Sequence, residues 1–170
     1  MLPLSTGTNN VFPRVAEATV AGSVLGVLAA GGVESEEAAV PVKIIDVEIE
    51  DEAPDIALID AVVTSDQFIG ARALLDGNAI ERIVLARAEP TAVGMTSVGG
   101  LIRPLSDEED AGLHLLLGKG GRSKVRAPIA PGMFETLRIR RLETLGFDEV
   151  VRFEGPCVLA FDGEREREIQ

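Results

Sequence analysis

Val40-Pro41-Val42-Lys43-Ile44-Ile45-Asp46-Val47-Glu48-Ile49-Glu50 is where the chain changes period. Val42, Ile44, Asp46, Glu48 and Glu50 fall on one face of an extended chain, and Lys43, Ile45, Val47 and Ile49 on the other, which is apolar after its first position. That alternation predicts a strand with one covered and one exposed face. Upstream the spacing is helical. From Arg14 to Ala30, Ala16, Val20, Val24, Val27 and Leu28 recur near helical spacing behind Pro13, and Gly31-Gly32 closes the run. Ahead of it, Leu2-Pro3-Leu4 running into Ser5-Thr6-Gly7-Thr8-Asn9-Asn10 reads as a strand end and a polar loop.

Downstream of the acidic turn Glu50-Asp51-Glu52 the pattern stays extended. Ile56 to Thr64 reads as a strand buried on both faces except at Asp60, and Asn78 to Ala88 as another. Gly94, Gly99 and Gly100 break up the next segment. Leu113 to Leu117 is a short strand before a turn at Gly118 to Gly121, and Val125 to Pro131 an irregular one. Leu137 to Leu142 begins by alternating; Val150 to Phe153 and Cys157 to Phe161 read as strands. Asp162-Gly163 is a hairpin signal, with Arg165 to Ile169 as the return strand. One helix followed by about eight to ten strands predicts an α+β chain. Its parts are a short amino-terminal α/β fragment, residues 1–36, and a predominantly antiparallel β-sandwich, residues 37–170.

Composition excludes several functions. The 170 residues are 46% hydrophobic and 26% charged, enough to bury a core. With 28 acidic and 16 basic side chains the formal net charge is −12, a field that repels phosphate backbones and anionic headgroups. Neither nucleic acid nor membrane is an expected partner. Six Phe with no Trp or Tyr leave no stacking platform for single strands. The single cysteine, Cys157, cannot form an internal disulfide and fits a reducing cytoplasm. The apolar run Val20 to Val33 is too short for a bilayer, which takes about 20 apolar residues. No basic leader precedes it, so no secretion signal is expected.

Two small polar segments are candidate ligand sites. Gly7-Thr8-Asn9-Asn10 lies between a strand and a helix, where α/β folds bind ligands, although polar turn residues are common there and an ordinary polar turn with a helix cap is the reading that spacing alone favours. Pro90 to Gly100 is dominated by small residues and hydroxyls, which admit a ligand backbone or simply form a loop or bulged strand. Lys119, Arg122, Lys124 and Arg126 concentrate base in an acidic protein, as a phosphate-attracting site or a solvated hairpin tip. His114 is the only histidine and has no evident ligand partner, so no metal site is expected. Cys157 reads as a small core residue, and Asp162-Gly163-Glu164 as a turn.

Taken together, these pieces resemble the NAD kinase and diacylglycerol kinase-like superfamily, and most the ATP-NAD kinase-like branch that includes the acetoin-catabolism protein X family. Leu4 to Pro13, followed by Glu17-Ala18-Thr19, is similar to that branch's stretch after its nucleotide loop. Glu89-Pro90-Thr91 through Ser97-Val98-Gly99-Gly100-Leu101-Ile102 resembles the Thr-Pro-Thr-Gly-Ser-Thr-Ala-Tyr segment and its Ser-Ala-Gly-Gly-Pro-Ile continuation. Ala127-Pro128-Ile129-Ala130-Pro131-Gly132 is similar to Thr-Pro-Ile-X-Pro-His, and Phe161-Asp162-Gly163-Glu164 to the terminal Asp-Gly-Glu. The order is the family's order. Three departures stand out. The Gly-Gly-Asp-Gly-Thr motif that carries the catalytic base occurs nowhere in the chain; Ile59 stands where the family has the Asn of an Asn-Glu pair; and the central segment has no Tyr.

The resemblance implies the carboxyl-terminal, substrate-binding and oligomerising portion of a phosphotransferase that uses ATP and Mg2+. Thr8, Asn9, Asn10, Phe12, Asp60, Thr91, Ala92, Thr96 and Ser97 would wall a pocket for a nucleotide or small-molecule hydroxyl. The chain would supply neither the catalytic base nor a metal ligand, and would assemble as a homo-oligomer. A catalytically silent ligand-binding or assembly module is the competing reading, and a lipid-kinase relative a third.

Overall fold

The computed structural model describes residues 17–65, 79–163 and 165–170. The chain divides into two compact units, Met1–Val42 and Lys43–Gln170. Described elements of the first are α1 (Ala18–Ala29) and the short α2 (Ser35–Ala38). Glu17 caps α1: its carboxylate accepts from the Thr19 and Val20 amides at 2.9 and 3.2 Å, which holds it below the usual carboxylate range. Gly31 ends the helix in the left-handed region at φ 69°, with the Gly32 amide returning to the Val27 carbonyl at 2.9 Å. The expected helix is present from Ala18, and Arg14 to Ala16 lie outside the described residues.

In the second unit, β1 (Ile45–Val47) and β2 (Asp55–Ala57) form an antiparallel pair. The other strands are β3 (Asp60–Thr64), β4 (Ile80–Leu85), β5 (Gly112–Leu117), β6 (Ser123–Ala130), β7 (Met133–Leu145), β8 (Cys157–Phe161) and β9 (Arg165–Ile169). They make one seven-stranded antiparallel sheet in the order β6-β7-β5-β4-β3-β8-β9. A meander β3-β4-β5 forms its middle, the β6-β7 hairpin adds to the β5 side and the β8-β9 hairpin to the β3 side. The helix α3 (Met95–Gly100) lies between β4 and β5 in sequence. The molecule is thus predominantly antiparallel β with few helices.

Strand alternation sorts the core into two layers. Val62, Ile83, Leu85, Leu113, Leu115, Val125, Ala127 and Leu137 pack on one face with Met95 and Val98 of α3. Ala61, Val63, Leu159 and Phe161 pack on the other with Val47 and Ala57 of the β1-β2 pair. Residue α3 neighbours are β6 and β4, which are three strand steps apart in the sheet, so the sheet curls around the helix. Each fully buried Leu, Ile or Phe here is worth roughly 1.5–3 kcal/mol relative to exposure.

Several expected boundaries move. The Val40 strand is confined to Ile45–Val47, although Ile45, Val47 and Ile49 do face the core. Ile56 to Thr64 is not one strand. It breaks at Leu58-Ile59 because the Asp162 carboxylate takes their amide hydrogens out of any ladder, sending β2 and β3 into different sheets. Val150 to Phe153 is irregular chain, and β7 runs well beyond Leu137 to Leu142. No described helix is long and apolar enough to cross a membrane.

Candidate functional site

Asp60 opens β3, paired in register with Leu85 of β4. It lies two residues before Val62 and so shares the sheet face on which α3 lies. Leu85 is itself against that helix: a Cβ added at Gly99 would stand 2.3 Å from its Cδ1. Asp60 is 7% exposed. Its carboxyl has no hydrogen-bond partner among the described residues, and burial, with Asp162 beside it, pushes it up to about 7 from an ordinary 3.8.

The neighbouring carboxylate is built differently. Asp162 sits in the β8-β9 turn at φ 53°. Its Oδ1 accepts from the amides of Leu58 at 3.0 Å, Ile59 at 2.8 Å and Asp60 at 3.3 Å, and its own amide donates to the Asp60 carbonyl at 3.0 Å. A row of backbone amides aimed at one carboxylate is an anion nest, here filled from within. It fixes the start of β3 and therefore the place of Asp60.

The Pro90 to Gly100 segment is neither loop nor bulged strand throughout, because Met95–Gly100 is a fully buried helical turn and a half. Gly94 precedes it at φ 96°, a conformation glycine tolerates, and its amide donates to the Pro128 carbonyl at 2.8 Å. The Ser97 hydroxyl is spent locally, donating to the Gly94 carbonyl at 2.7 Å. Thr96 and Ser97 are 1% and 0% exposed. Thr91 is exposed and Ala92 half-buried in the turn that leads into α3. Asp60 and helix α3, with Thr96 and Ser97, thus lie on the same side of the sheet, but the neighbours of α3 are β6 and β4, and no hydrogen bond among the described residues joins Asp60 to Thr91, Ala92, Thr96 or Ser97. Thr8, Asn9, Asn10 and Phe12 lie outside the described residues. Two surface grooves lie elsewhere, along α1 and along β1-β2.

Two arrangements had no sequence signal. Lys43 donates to three carbonyls, Ser106 at 2.8 Å, Glu109 at 2.8 Å and Ala111 at 2.9 Å, which uses every hydrogen of its ammonium. Burial holds it below the usual lysine range. His114 pairs through Nδ1 with Glu143 at 3.2 Å, and Arg141 reaches the other oxygen of Glu143 at 2.5 Å. Because Leu113 and Leu115 face α3, His114 faces away from Asp60. Cys157 packs at the edge of the second core layer, where burial pushes its thiol up and disfavours the nucleophilic thiolate. Among the described residues, no three His, Cys, Asp or Glu are grouped to hold a metal ion.

Residues 43–170 match the protein family described as acetoin catabolism protein X C-terminal domain. Acetoin catabolism protein X of Cupriavidus necator is 37% identical over 172 residues, covering 96% of this chain and 47% of that protein. The chain therefore spans about half the length of the curated relative it matches. No solved structure matches.

Proposed function

The chain belongs to the acetoin catabolism protein X C-terminal domain family, and from that premise we propose that it is the ligand-binding lobe of a phosphoryl-transfer protein serving acetoin breakdown in the cytoplasm. The observation that carries this reading is Asp60, a carboxyl only 7% exposed with no protein hydrogen bond among the described residues, at the position where the resembled kinases hold their substrate. Burying a polar group without a hydrogen bond costs stability. A ligand hydroxyl or exocyclic amine donating to it recovers that cost.

The candidate set is one carboxyl, Asp60, with the small side chains Thr91, Ala92, Thr96 and Ser97, the Ser97 hydroxyl already donating to the Gly94 carbonyl. It suits a ribose, a base or a small neutral acceptor, and it does not fit a magnesium triphosphate, which needs cationic and metal-binding groups. ATP and Mg2+ are accordingly held by residues outside this set. The part of Asp60, Thr91, Ala92, Thr96 and Ser97 is to orient the acceptor hydroxyl and exclude water; Thr8, Asn9, Asn10 and Phe12 complete the wall. Phosphoryl transfer depends mostly on such positioning and on charge neutralisation. Self-association through the β-rich unit is part of the same proposal.

Calorimetric titration of adenosine, AMP and NAD tests it. Asp60→Ala should weaken binding by roughly tenfold to a hundredfold, the worth of a charge-assisted hydrogen bond. No binding to the wild type at millimolar ligand, or unchanged affinity in folded Asp60→Ala, refutes it. A second reading is that these 170 residues, which do not contain Gly-Gly-Asp-Gly-Thr, act by themselves as a silent binding or assembly module. It predicts ligand binding with no turnover in a coupled assay with ATP, magnesium and NAD.

A further inference from the structure

The sheet face opposite α3 has two unlike halves. Over β3 and β8 it is covered, because Val47 and Ala57 of the β1-β2 pair lie on Ala61, Val63, Leu159 and Phe161. Over β6 and β7 it is bare and basic. Val125, Ala127, Leu137 and Ile139 point to the α3 face, so Lys124, Arg126 and Arg138 between them point to the other, and all three are exposed. Arg140, the extra residue where the β5-β7 register shifts, is exposed beside them. Lys124 stands directly opposite Arg138, and Arg126 lies 5.1 Å from the ring centroid of Phe134, itself 52% exposed. The acid on this side of β7, Glu143, is already held by His114 and Arg141. Lys124, Arg126, Arg138 and Arg140 make no ion pair among the described residues. Like charges directly opposite destabilise a sheet, and a countercharge laid on the face removes that cost.

The β1-β2 pair carries that countercharge. With Ile45 and Val47 turned to the core, Asp46 and Glu48 turn outward, exposed and in no ion pair among the described residues. They line a groove of about 420 Å³ with Ile56, and Ile44 and Ile56, 47% and 43% exposed, add apolar area. Glu52 and Asp55 are already taken by Arg167 and Arg165. One face therefore bears a raised acidic half and a bare basic half, and the step between them is one sheet spacing, about 10 Å. A half-turn about an axis along the strands, placed at the step, lays the acidic half of each of two copies on the basic half of the other. We propose that this face is a two-fold interface with a second copy of the chain, in which the Asp46-Glu48 ridge of each copy seats on Lys124, Arg126 and Arg138 of its partner. Such a contact is self-complementary and closed. Two copies at −12 repel as wholes, but at contact the local charges decide, since salt screens the remainder beyond about 8–10 Å. The inference names the surface for the self-association proposed above and is independent of what Asp60 binds.

Analytical sedimentation of the whole chain tests it, with two double variants at exposed positions, Lys124→Glu with Arg138→Glu and Asp46→Lys with Glu48→Lys. The wild type should sediment as a dimer at low salt. Raising salt from about 0.05 to 0.5 M should weaken that dimer by roughly tenfold or more as screening shortens. Each double variant alone should dimerise roughly a hundredfold or more weaker, because it sets like charges across the contact. An equimolar mixture of the two should dimerise again, and so should the chain carrying all four changes, since both restore opposite charges at both contacts. A folding defect would give neither rescue. A dimer indifferent to salt and to both double variants overturns this surface and leaves self-association standing. A wild type that stays monomeric at about 100 µM in low salt overturns both. A mass that climbs past the dimer with concentration overturns the two-fold arrangement. A monomer that binds poly-glutamate through Lys124 and Arg138 overturns it as well, because a foreign acidic chain is then the occupant.

Discussion

Asp162 does more for the fold than its place in a surface turn suggests. Its left-handed φ of 53° suits Asp and Gly, which is why Asp162-Gly163 was legible as a hairpin turn. Its reach back to Leu58, 104 residues earlier, was not legible, because nothing local in a sequence records a contact between distant segments. Asp162→Ala should lower unfolding free energy by roughly 2–4 kcal/mol, from the lost charge-assisted bonds, measured by urea denaturation. Asp162→Asn keeps an acceptor oxygen and a tolerance for positive φ, so it should lose less. Asp60 was legible as the polar exception in an apolar strand; its isolation was not. With its folded value near 7 against an ordinary 3.8, the folded state holds the proton more tightly than the unfolded state. Below pH 3.8 both states are protonated and Asp60 costs nothing. As pH rises toward 7 stability falls by about 1.4 kcal/mol per unit, and above 7 the loss is complete. Thermal melts across this window should show that slope in the wild type and its absence in Asp60→Asn.

Among the elements, α3 depends on two glycines in a row. A Cβ at Gly99 would meet the Leu85 Cδ1 at 2.3 Å, the end of a side chain, whereas one at Gly100 would meet backbone, the Glu89 carbonyl carbon at 2.3 Å and the Pro90 nitrogen at 2.4 Å. Side chains shift more cheaply than backbone. Gly99→Ala should therefore cost roughly 1–3 kcal/mol, and Gly100→Ala more, with loss of α3 packing visible in the methyl region of NMR spectra. The glycines themselves signalled close approach, but their number hid the helix, because glycine disfavours helical propensity and only burial overrides it. Strands with clear alternation, such as Leu113 to Leu117 and Cys157 to Phe161, were readable from pattern alone. Val150 to Phe153 carries strand-like residues yet has no neighbouring strand to pair with. The edge strands are guarded. Lys124 and Arg126 stand on β6 with Pro128, and β9 alternates Arg165-Glu166-Arg167-Glu168. Pairing β9 with its own copy in an antiparallel register would set like charges opposite, which opposes aggregation.

Across the whole molecule, the composition excluded function classes more than it chose one. The charge of −12 is unevenly spread: Arg165 and Arg167 of β9 bind Asp55 and Glu52 beside the β1-β2 pair, while Lys119, Arg122, Lys124 and Arg126 face solvent with no acid within reach among the described residues. The family resemblance was carried by the order of several weak motifs, and no one of them specified a chemistry. What the fold adds is that Asp60 and the helix carrying Thr96-Ser97 lie on the same face of one sheet. Adenosine has no group that titrates near neutrality, so the pH dependence of its affinity reports on the protein alone. If Asp60 holds the ligand through its ionised carboxylate, affinity should rise by up to tenfold per pH unit below about 7 and level off above it, with Asp60→Asn weak and flat throughout. A flat wild-type profile between about pH 5.5 and 8.5, or the same rise in Asp60→Asn, would contradict the assignment of Asp60 as the ligand-holding group.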